Sequence, residues 1–126
     1  MKFYKCSLCG NIVEKIHDSG VNMVCCGQPM EELKANTTDA ALEKHVPDLS
    51  LAEGKLHVQV GSTAHPMMEE HYIMFIAAEA GDRVFRKELK PGEKPEADFC
   101  LGDYHGPVTV YEYCNLHGLW KAEITA

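Results

Sequence analysis

Alternating apolar and polar residues are the clearest pattern in the C-terminal part of the chain. In "KLHVQV" (55–60) every second residue is apolar, which is the period of a half-buried β-strand, and "HYIMFIAAEA" (71–80) is apolar on both faces, as a central strand would be. Further strand patterns are "DRVFRKEL", "ADFCL", "PVTVYEY" and "LWKAEI", separated by the turn sequences "AGD", "KPGEKP" and "LGDYHGP". Short strands with such punctuation predict an antiparallel β-sandwich or barrel.

The N-terminal segment has a different pattern. It contains few large apolar residues but four of the six cysteines, and a segment of this size needs a metal or disulfides to be stable. We therefore expect two domains, a small metal-bound module over 1–36 and a mainly β domain over 37–126. In the second domain, "AALEKH" allows a short helix, which Pro47 would stop early.

Composition and charge narrow the range of partners. The chain has 126 residues, 45% of them apolar, and a formal net charge of −7 without a basic stripe, so nucleic acid is not an expected partner. The segment "MKFYKCSLCG" lacks the apolar run of a signal peptide, and "YIMFIAA" is too short to span a bilayer. We expect a cytoplasmic protein with no membrane partner.

The close spacing of the N-terminal cysteines predicts a metal site. Without an export signal disulfides are disfavoured, and the set comprises four thiols: Cys6, Cys9, Cys25 and Cys26. Tetrahedral sites with four sulfurs take iron or zinc, and the residues alone do not choose between them. A redox-active dithiol is disfavoured because "CSLCGNIVE" continues into a turn and a strand. Since neighbouring side chains diverge, Cys25 and Cys26 can share one ion only if the backbone and the tetrahedron distort.

A second set of metal ligands is predicted from "YEYCNLHGLW" (111–120). Cys114 and His117 are separated by two residues in this stretch and need partners, for which "AHPMMEEHY" offers His65 and His71 and "LEKHVP" offers His45. These five residues would form a His4Cys site. The remaining histidines are interpreted as surface or hydrogen-bonded residues: His17, His57 and His105.

Four other residues near these motifs are assigned to packing. Cys100 lies in the strand pattern "ADFCL" and is predicted to be a small core residue. Trp120, the only tryptophan, is predicted to be buried beneath the ligand loop. Met67 and Met68 are predicted to pack and not to bind metal.

The motifs together resemble the desulfoferrodoxin family of two-iron superoxide reductases. The matching stretches are "CSLCGNIVE…VCCGQPM", "EKHVP", "AHPM…HYI" and "EYCNLHGLWKAE", in the family's order and over nearly the whole chain. The first resembles desulforedoxin and the rest resembles the neelaredoxin-like superoxide reductase domain. One departure is the variable stretch "DFCLGDYHGPVTV" with an added histidine, and it affects no residue of the motifs.

The resemblance implies a fold, two cofactors and an activity. The second domain would be an immunoglobulin-like sandwich of seven strands, and the chain would form a homodimer supplied by a rubredoxin-type electron donor. One iron would be bound by Cys6, Cys9, Cys25 and Cys26. A second, catalytic iron would have His45, His65, His71 and His117 in a plane and Cys114 as axial ligand.

The resemblance also implies how the second iron works. It would reduce superoxide by one electron to hydrogen peroxide without evolving oxygen. Glu43 would occupy its sixth position in the oxidised state, and Lys44 would stand near the open face.

Three other functions compete with this interpretation. A blue-copper carrier also places Cys and His close together, but it needs an axial ligand such as Met shortly after that His, and no Met follows residue 74. A non-enzymatic zinc-ribbon binding protein leaves "HPMMEEHY" and "CNLHG" unexplained. A pure electron-transfer protein would use only the four-sulfur iron and would lack a second, His-rich iron.

Overall fold

The protein is described by a computed structural model that covers residues 1–126. The chain divides into two compact units, Met1–Lys34 and Ala35–Ala126. Both are built mainly from β-strands, and the chain's one α-helix has four residues. No helix has the length and apolar composition that crossing a membrane would require.

The N-terminal unit contains five very short strands. They are β1 Phe3–Lys5, β2 Ile12–Glu14, β3 Val24–Cys25, β4 Gln28–Pro29 and β5 Glu31–Glu32. Strands β2, β1 and β5 form one antiparallel sheet in that order, and β3 and β4 form a separate hairpin. The buried hydrophobic residues of this unit are Phe3 and Cys6, so the unit has almost no apolar core of its own.

The C-terminal unit contains one helix and seven strands. They are α1 Leu42–His45, β6 Pro47–Ala52, β7 Lys55–Val60, β8 Ile73–Ala80, β9 Arg83–Glu88, β10 Glu96–Cys100, β11 Pro107–Cys114 and β12 Gly118–Thr125. A three-stranded sheet has the order β10-β7-β6 and a four-stranded sheet has the order β12-β11-β8-β9, with every pair antiparallel. This is the expected sandwich, and the short helix ends before Pro47 as expected.

The inward faces of the two sheets form the core. Leu56, Val58 and Val60 of β7 are fully buried, which confirms the alternation in "KLHVQV". They pack against inward residues of the opposite sheet, among them Val108 and Val110 of β11. Burial of such side chains stabilises a domain by roughly 1.5–3 kcal/mol each, so the sandwich is a firm support for the loops at its ends.

Two of the packing predictions are wrong. Cys100 is exposed and not a core residue, because Ala97 and Phe99 occupy the inward positions of β10 and Cys100 falls on the outward one. Met68 is 50% exposed, whereas its neighbour Met67 packs against the core as predicted. The outcome for Cys100 was decided by the side of the strand on which it lies, and membership of a strand alone does not give that side.

A tight hairpin between β6 and β7 depends on glycine. Glu53 and Gly54 both have positive φ, 53° and 76°, which is the backbone of a two-residue turn whose twist matches the strands. A Cβ at Gly54 would also collide with the backbone oxygen of Gly102. Gly92 likewise has positive φ, 89°, but a Cβ there would meet nothing within 4 Å.

These two glycines give a matched test of the packing. We expect Gly54→Ala to lower the free energy of unfolding by about 2–4 kcal/mol, because the backbone strain and the collision add. Gly92→Ala should lower it by only about 1 kcal/mol, because it carries the strain alone. Urea unfolding at constant metal content measures both, and equal losses would contradict the packing described for Gly54.

Candidate metal centres

The four cysteines of the N-terminal unit converge on one point. The sulfurs of Cys6, Cys9, Cys25 and Cys26 all lie within 4.8 Å of one another. The Sγ atoms of Cys9 and Cys25 are 3.6 Å apart, far longer than a disulfide bond. Two sulfurs at opposite ends of a tetrahedral edge lie about 3.8 Å apart when each metal–sulfur bond is about 2.3 Å. The group therefore has the dimensions of a four-sulfur metal site.

The turn around Cys6 and Cys9 supplies hydrogen bonds to this group. The backbone N–H of Cys6 donates to the oxygen of Asn11 (2.9 Å), and that of Gly10 donates to the oxygen of Cys6 (3.0 Å). The backbone N–H of Cys9 donates to the Cys6 sulfur and lowers the pKa of that thiol, since the charged form is the better acceptor. A turn whose backbone N–H groups point at sulfur favours the thiolate, which is the form of cysteine that binds a metal ion.

The adjacent pair Cys25 and Cys26 meets the group through a left-handed backbone. Cys26 has φ of 53°, and Gly27 after it has φ of 75°. A positive φ is unfavourable for a residue with a Cβ, so this is the backbone distortion expected from the sequence. Hydrogen bonding to the other sulfurs, first of all Cys9, raises the pKa of Cys26 and favours its thiol in the absence of a cation.

The second group lies at one end of the sandwich. The donor atoms of its five residues are all within 4.8 Å of one another, and the residues are the predicted set: His45, His65, His71, Cys114 and His117. They come from α1, the segment between β7 and β8, the end of β11, and the turn before β12. No two of these elements carry the whole set, so the site exists only in the folded domain.

The four imidazoles form a closed ring. Each lies roughly perpendicular to the next, with interplanar angles from 74° to 86° and centroid distances from 4.6 to 5.0 Å, in the order His45, His65, His71, His117 and back to His45. The Nε2 atom of His45 is 3.2 Å from Nε2 of His65 and 3.0 Å from Nδ1 of His117. The centre of a square with sides of this length lies about 2.2 Å from each corner, close to a metal–imidazole bond.

The hydrogen bonds of these rings show that a cation fits between them. Nδ1 of His45 donates to the oxygen of Ala41 (2.8 Å) and Nδ1 of His65 donates to the oxygen of Pro66 (2.6 Å), so in both neutral rings Nε2 carries a lone pair. Those two lone pairs face each other at 3.2 Å without a proton between them. Nε2 of His71 is also buried with no hydrogen-bond partner. A metal ion satisfies all three nitrogens at once.

Burial keeps the site electron-rich. Desolvation lowers the pKa of His45 and His71 and lowers that of His65 to about 4, so these rings are neutral at pH 7 and available as ligands. Desolvation also raises the pKa of Cys114, which favours a thiol until a cation is bound. Backbone N–H groups of Leu116 and His117 oppose this by donating to the sulfur. The Cys114 sulfur lies 3.5 Å from Nε2 of His65.

Trp120 is packed beneath the ring of imidazoles, as predicted. It is fully buried and stacks on His45 with 5.0 Å between the ring centroids. Its indole N–H donates to the backbone oxygen of His117 (3.1 Å). One side chain thus supports two of the ligands, one by stacking and one by a hydrogen bond.

Glu43 and Lys44 lie beside the ring because they precede His45 in α1. Both are exposed. After desolvation and the neighbouring His117, the charge of Lys44 is among the causes that lower the pKa of His71, and the charge of Glu43 opposes the lowering of the pKa of His45. A Cβ on Gly61 would lie 2.7 Å from the backbone oxygen of Glu43, so this glycine allows the helix to seat closely on the sandwich.

The other histidines lie outside both groups. His17 and His105 are exposed, and His57 is on the polar face of β7, where its Nδ1 is 2.7 Å from Oδ1 of Asp98. The surface interpretation of these three residues is confirmed. They belong to neither set of potential ligands.

The sequence interpretation missed one buried acid near the second group. Glu112 is 0% exposed, neither carboxylate oxygen has a hydrogen-bond partner, and burial raises its pKa well above the ordinary value. It shares the inward face of β11 with Val110 and Cys114. The alternation in "PVTVYEYC" contained this information, because Glu112 is in phase with the apolar positions of that strand.

Comparison with known proteins identifies relatives for both units. The family model for the desulfoferrodoxin N-terminal domain matches residues 1–33, and that for desulfoferrodoxin matches residues 37–123. A desulfoferrodoxin of Syntrophotalea carbinolica is 52% identical over 98% of this chain and 96% of its own, and one of Nitratidesulfovibrio vulgaris is 50% identical over 97% and 95%. The crystal structure of the superoxide reductase from Treponema pallidum superposes with a TM-score of 0.76, 32% identity and coverage of 96% and 97%.

These matches agree with the two donor groups. The four-cysteine group lies within the segment that matches the N-terminal domain, and the His4Cys group lies within the segment that matches the main domain. Together the two groups match the two iron sites expected from the family resemblance. On its sequence, its fold and these two centres, the chain belongs to the desulfoferrodoxin family.

Proposed function

We propose that this chain is a superoxide reductase, which converts superoxide to hydrogen peroxide at an iron bound by the His4Cys group. The observation that carries the proposal is the closed ring of four imidazoles with one buried cysteine beside it. Support also comes from the Treponema pallidum structure, which is described as a superoxide reductase and covers nearly the whole chain. We assign iron to the four-cysteine group as well.

The reaction requires one electron and two protons for each superoxide. When bound by the five residues, iron(II) would supply the electron, and water would supply the two protons of hydrogen peroxide. Five protein donors would hold the iron and leave room for a small anionic substrate. We propose that the Cys114 thiolate is one of these donors and would supply electron density to the metal.

The protein environment sets the charge of the donor set. Since burial lowers the pKa of His45, His65 and His71 and keeps these three imidazoles neutral, the Cys114 thiolate would be the negatively charged donor of the set. The N–H groups of Leu116 and His117 share that charge and limit how strongly the sulfur donates. We propose that the protons come from water molecules that the charge of the exposed Lys44 orders near the site.

We propose that Lys44 attracts the anionic substrate. The chain has a net charge of −7, which repels an anion, but salt screens that field over about 8 Å. A lysine about 4 Å from the substrate contributes roughly 4 kcal/mol of attraction at an effective dielectric near 20, before further screening. The local attraction is therefore the larger effect, and it raises the rate of association.

We propose that Glu43 closes the substrate position after turnover. It lies next to Lys44 on the exposed end of α1, and its charge acts on His45. A carboxylate favours the more highly charged, oxidised metal, so Glu43 would be an additional ligand in the oxidised state. This arrangement would exclude other anions from the resting site.

We infer that the chain forms a homodimer and receives electrons from a rubredoxin-type protein. Exposed apolar residues of the N-terminal unit support self-association, since such side chains favour burial: Leu8, Ile16, Val21 and Val24. Sedimentation equilibrium at twice the chain mass would establish the dimer. The donor rests on family resemblance, and reduction of the second iron by a purified rubredoxin tests it.

We also infer a cytoplasmic location. None of the six cysteines forms a disulfide bond, which suits a reducing compartment. Cell fractionation with detection of the protein tests this location, and recovery from an oxidising compartment would contradict it.

The activity itself is tested by the products of the reaction. The reduced, iron-loaded protein should consume superoxide and form one hydrogen peroxide for each superoxide, with no oxygen released by the enzyme reaction. Pulse radiolysis with peroxide and oxygen assays measures these amounts. Release of one oxygen for every two superoxides would indicate dismutation and would overturn the proposal.

Lys44 is tested by removing its charge. Lys44→Ala should lower the second-order rate constant for superoxide about tenfold or more at low salt, since it removes the local attraction, and should retain both irons. Lys44→Arg should restore most of the rate. Lys55→Ala, which removes the same charge from β7, serves as the control and should change the rate little. An unchanged rate in Lys44→Ala would exclude the role.

Glu43 is tested by anion binding to the oxidised protein. Glu43→Ala should bind added azide about tenfold more tightly or better, measured by a visible titration, because the position is no longer occupied. The superoxide rate constant should change by less than about twofold. The control is Glu70→Ala, because the charge of Glu70 also acts on the pKa of His71. Equal azide affinities in the wild type and both variants would rule out gating by Glu43.

A further inference from the structure

The hydrogen-bond ladder between β8 and β11 stops where the ligands begin. It runs from Val108 opposite Ala80 to Cys114 opposite Ile73, with a shift of register at Cys114. Beyond this point β8 and β11 are no longer paired and their chain segments separate by a gap. Two ligands belong to the segment on each side of this gap. His65 and His71 precede β8, whereas Cys114 and His117 lie at and beyond the end of β11. Their separation must be set by other contacts.

Asn115 bridges this gap with three hydrogen bonds. Its backbone N–H donates to the oxygen of Tyr72 (3.2 Å), and its side-chain oxygen accepts from the N–H of Tyr72 (2.9 Å). Its side-chain amide nitrogen donates to the oxygen of Glu70 (3.1 Å). The side-chain amide of Asn115 bonds the backbone as a peptide group would. Hydrogen bonding between the two segments therefore continues for two residues past the last pair of β8 and β11.

The segment that Asn115 holds contains the ligand His71. His45 and His65 are each oriented by a hydrogen bond from Nδ1 to a backbone oxygen, whereas Nε2 of His71, one of the nitrogens that a metal would satisfy, is buried with no hydrogen-bond partner. The backbone of His71 pairs with Met68, at 2.9 and 3.1 Å. Asn115 fixes the residues immediately before and after His71.

We propose that Asn115 is a positioning residue for the catalytic iron. It holds His71 at the correct distance from the pair Cys114 and His117, and it acts through the backbone of residues 70–72 without touching the metal. This inference rests on the proposed iron site. Removing an outer-shell partner of this kind lowers metal affinity about tenfold to a hundredfold.

The test compares iron release from the two centres of one chain. Asn115→Ala should lose iron from the His4Cys site to a chelator about tenfold or more faster than the wild type. The iron of the four-cysteine group, in the other unit, should be released at an unchanged rate and serves as the internal standard. The thiolate-to-iron absorption band of the oxidised His4Cys site should also shift, because His71 and the sulfur change their mutual geometry.

The matched control is Tyr104→Phe. The hydroxyl of Tyr104 donates to the backbone oxygen of Pro107 (2.8 Å), at the end of β11 that lies away from Cys114, so the variant loses a hydrogen bond to the backbone far from the ligands. This variant should lose stability without faster iron release or a shifted band. If Asn115→Ala loses stability by a similar amount and keeps its iron and its band, Asn115 is only structural and the inference is overturned.

Two further outcomes are distinguishable. If Asn115→Ala does not fold, Asn115→Asp is measured instead, since it keeps the bond from Tyr72 and loses the one to Glu70. Its added negative charge favours iron, so faster release would support the inference and wild-type release would overturn it. If the wild type holds no iron in the His4Cys site, the proposed function fails, whatever Asn115 does.

Discussion

The second centre depends on one electrostatic constraint. At one end of the sandwich, the donor atoms of four imidazoles and one cysteine lie within 4.8 Å of one another. Two of the nitrogens that carry a lone pair are only 3.2 Å apart. Such an arrangement is repulsive unless a cation lies among the donors. Contacts with the surrounding structure stabilise this arrangement. Trp120 stacks on one ring, and backbone carbonyl oxygens accept hydrogen bonds from Nδ1 of two rings.

The two units solve the problem of metal binding in different ways. The sandwich has an extensive core and positions five ligands on loops that its strands hold in place. The N-terminal unit has almost no apolar core and uses one polarised turn and one strained residue, Cys26, to gather its sulfurs. For the small unit, binding free energy is also folding free energy, so its metal is part of its structure.

Local patterns predicted the strands and the ligands but not the contacts that position them. Alternation found β7, and the spacing of Cys and His found both donor groups. The outward position of Cys100 and the bridge made by Asn115 depend on the face or register that a strand takes in the sandwich, whereas the alternation along β11 already indicated that Glu112 is buried. Register is set by pairing with distant residues, and a single sequence does not show that pairing directly.

Each chain is expected to hold two irons, of which the one bound by the His4Cys group is redox-active, and metal content with a visible spectrum tests this most directly. We expect two irons per chain and a thiolate-to-iron band that appears when a chemical oxidant is added and is absent when Cys114 is replaced by Ser. One iron or one zinc per chain, with no new band on oxidation, would show that the His4Cys group holds no redox iron and is not a superoxide reductase centre.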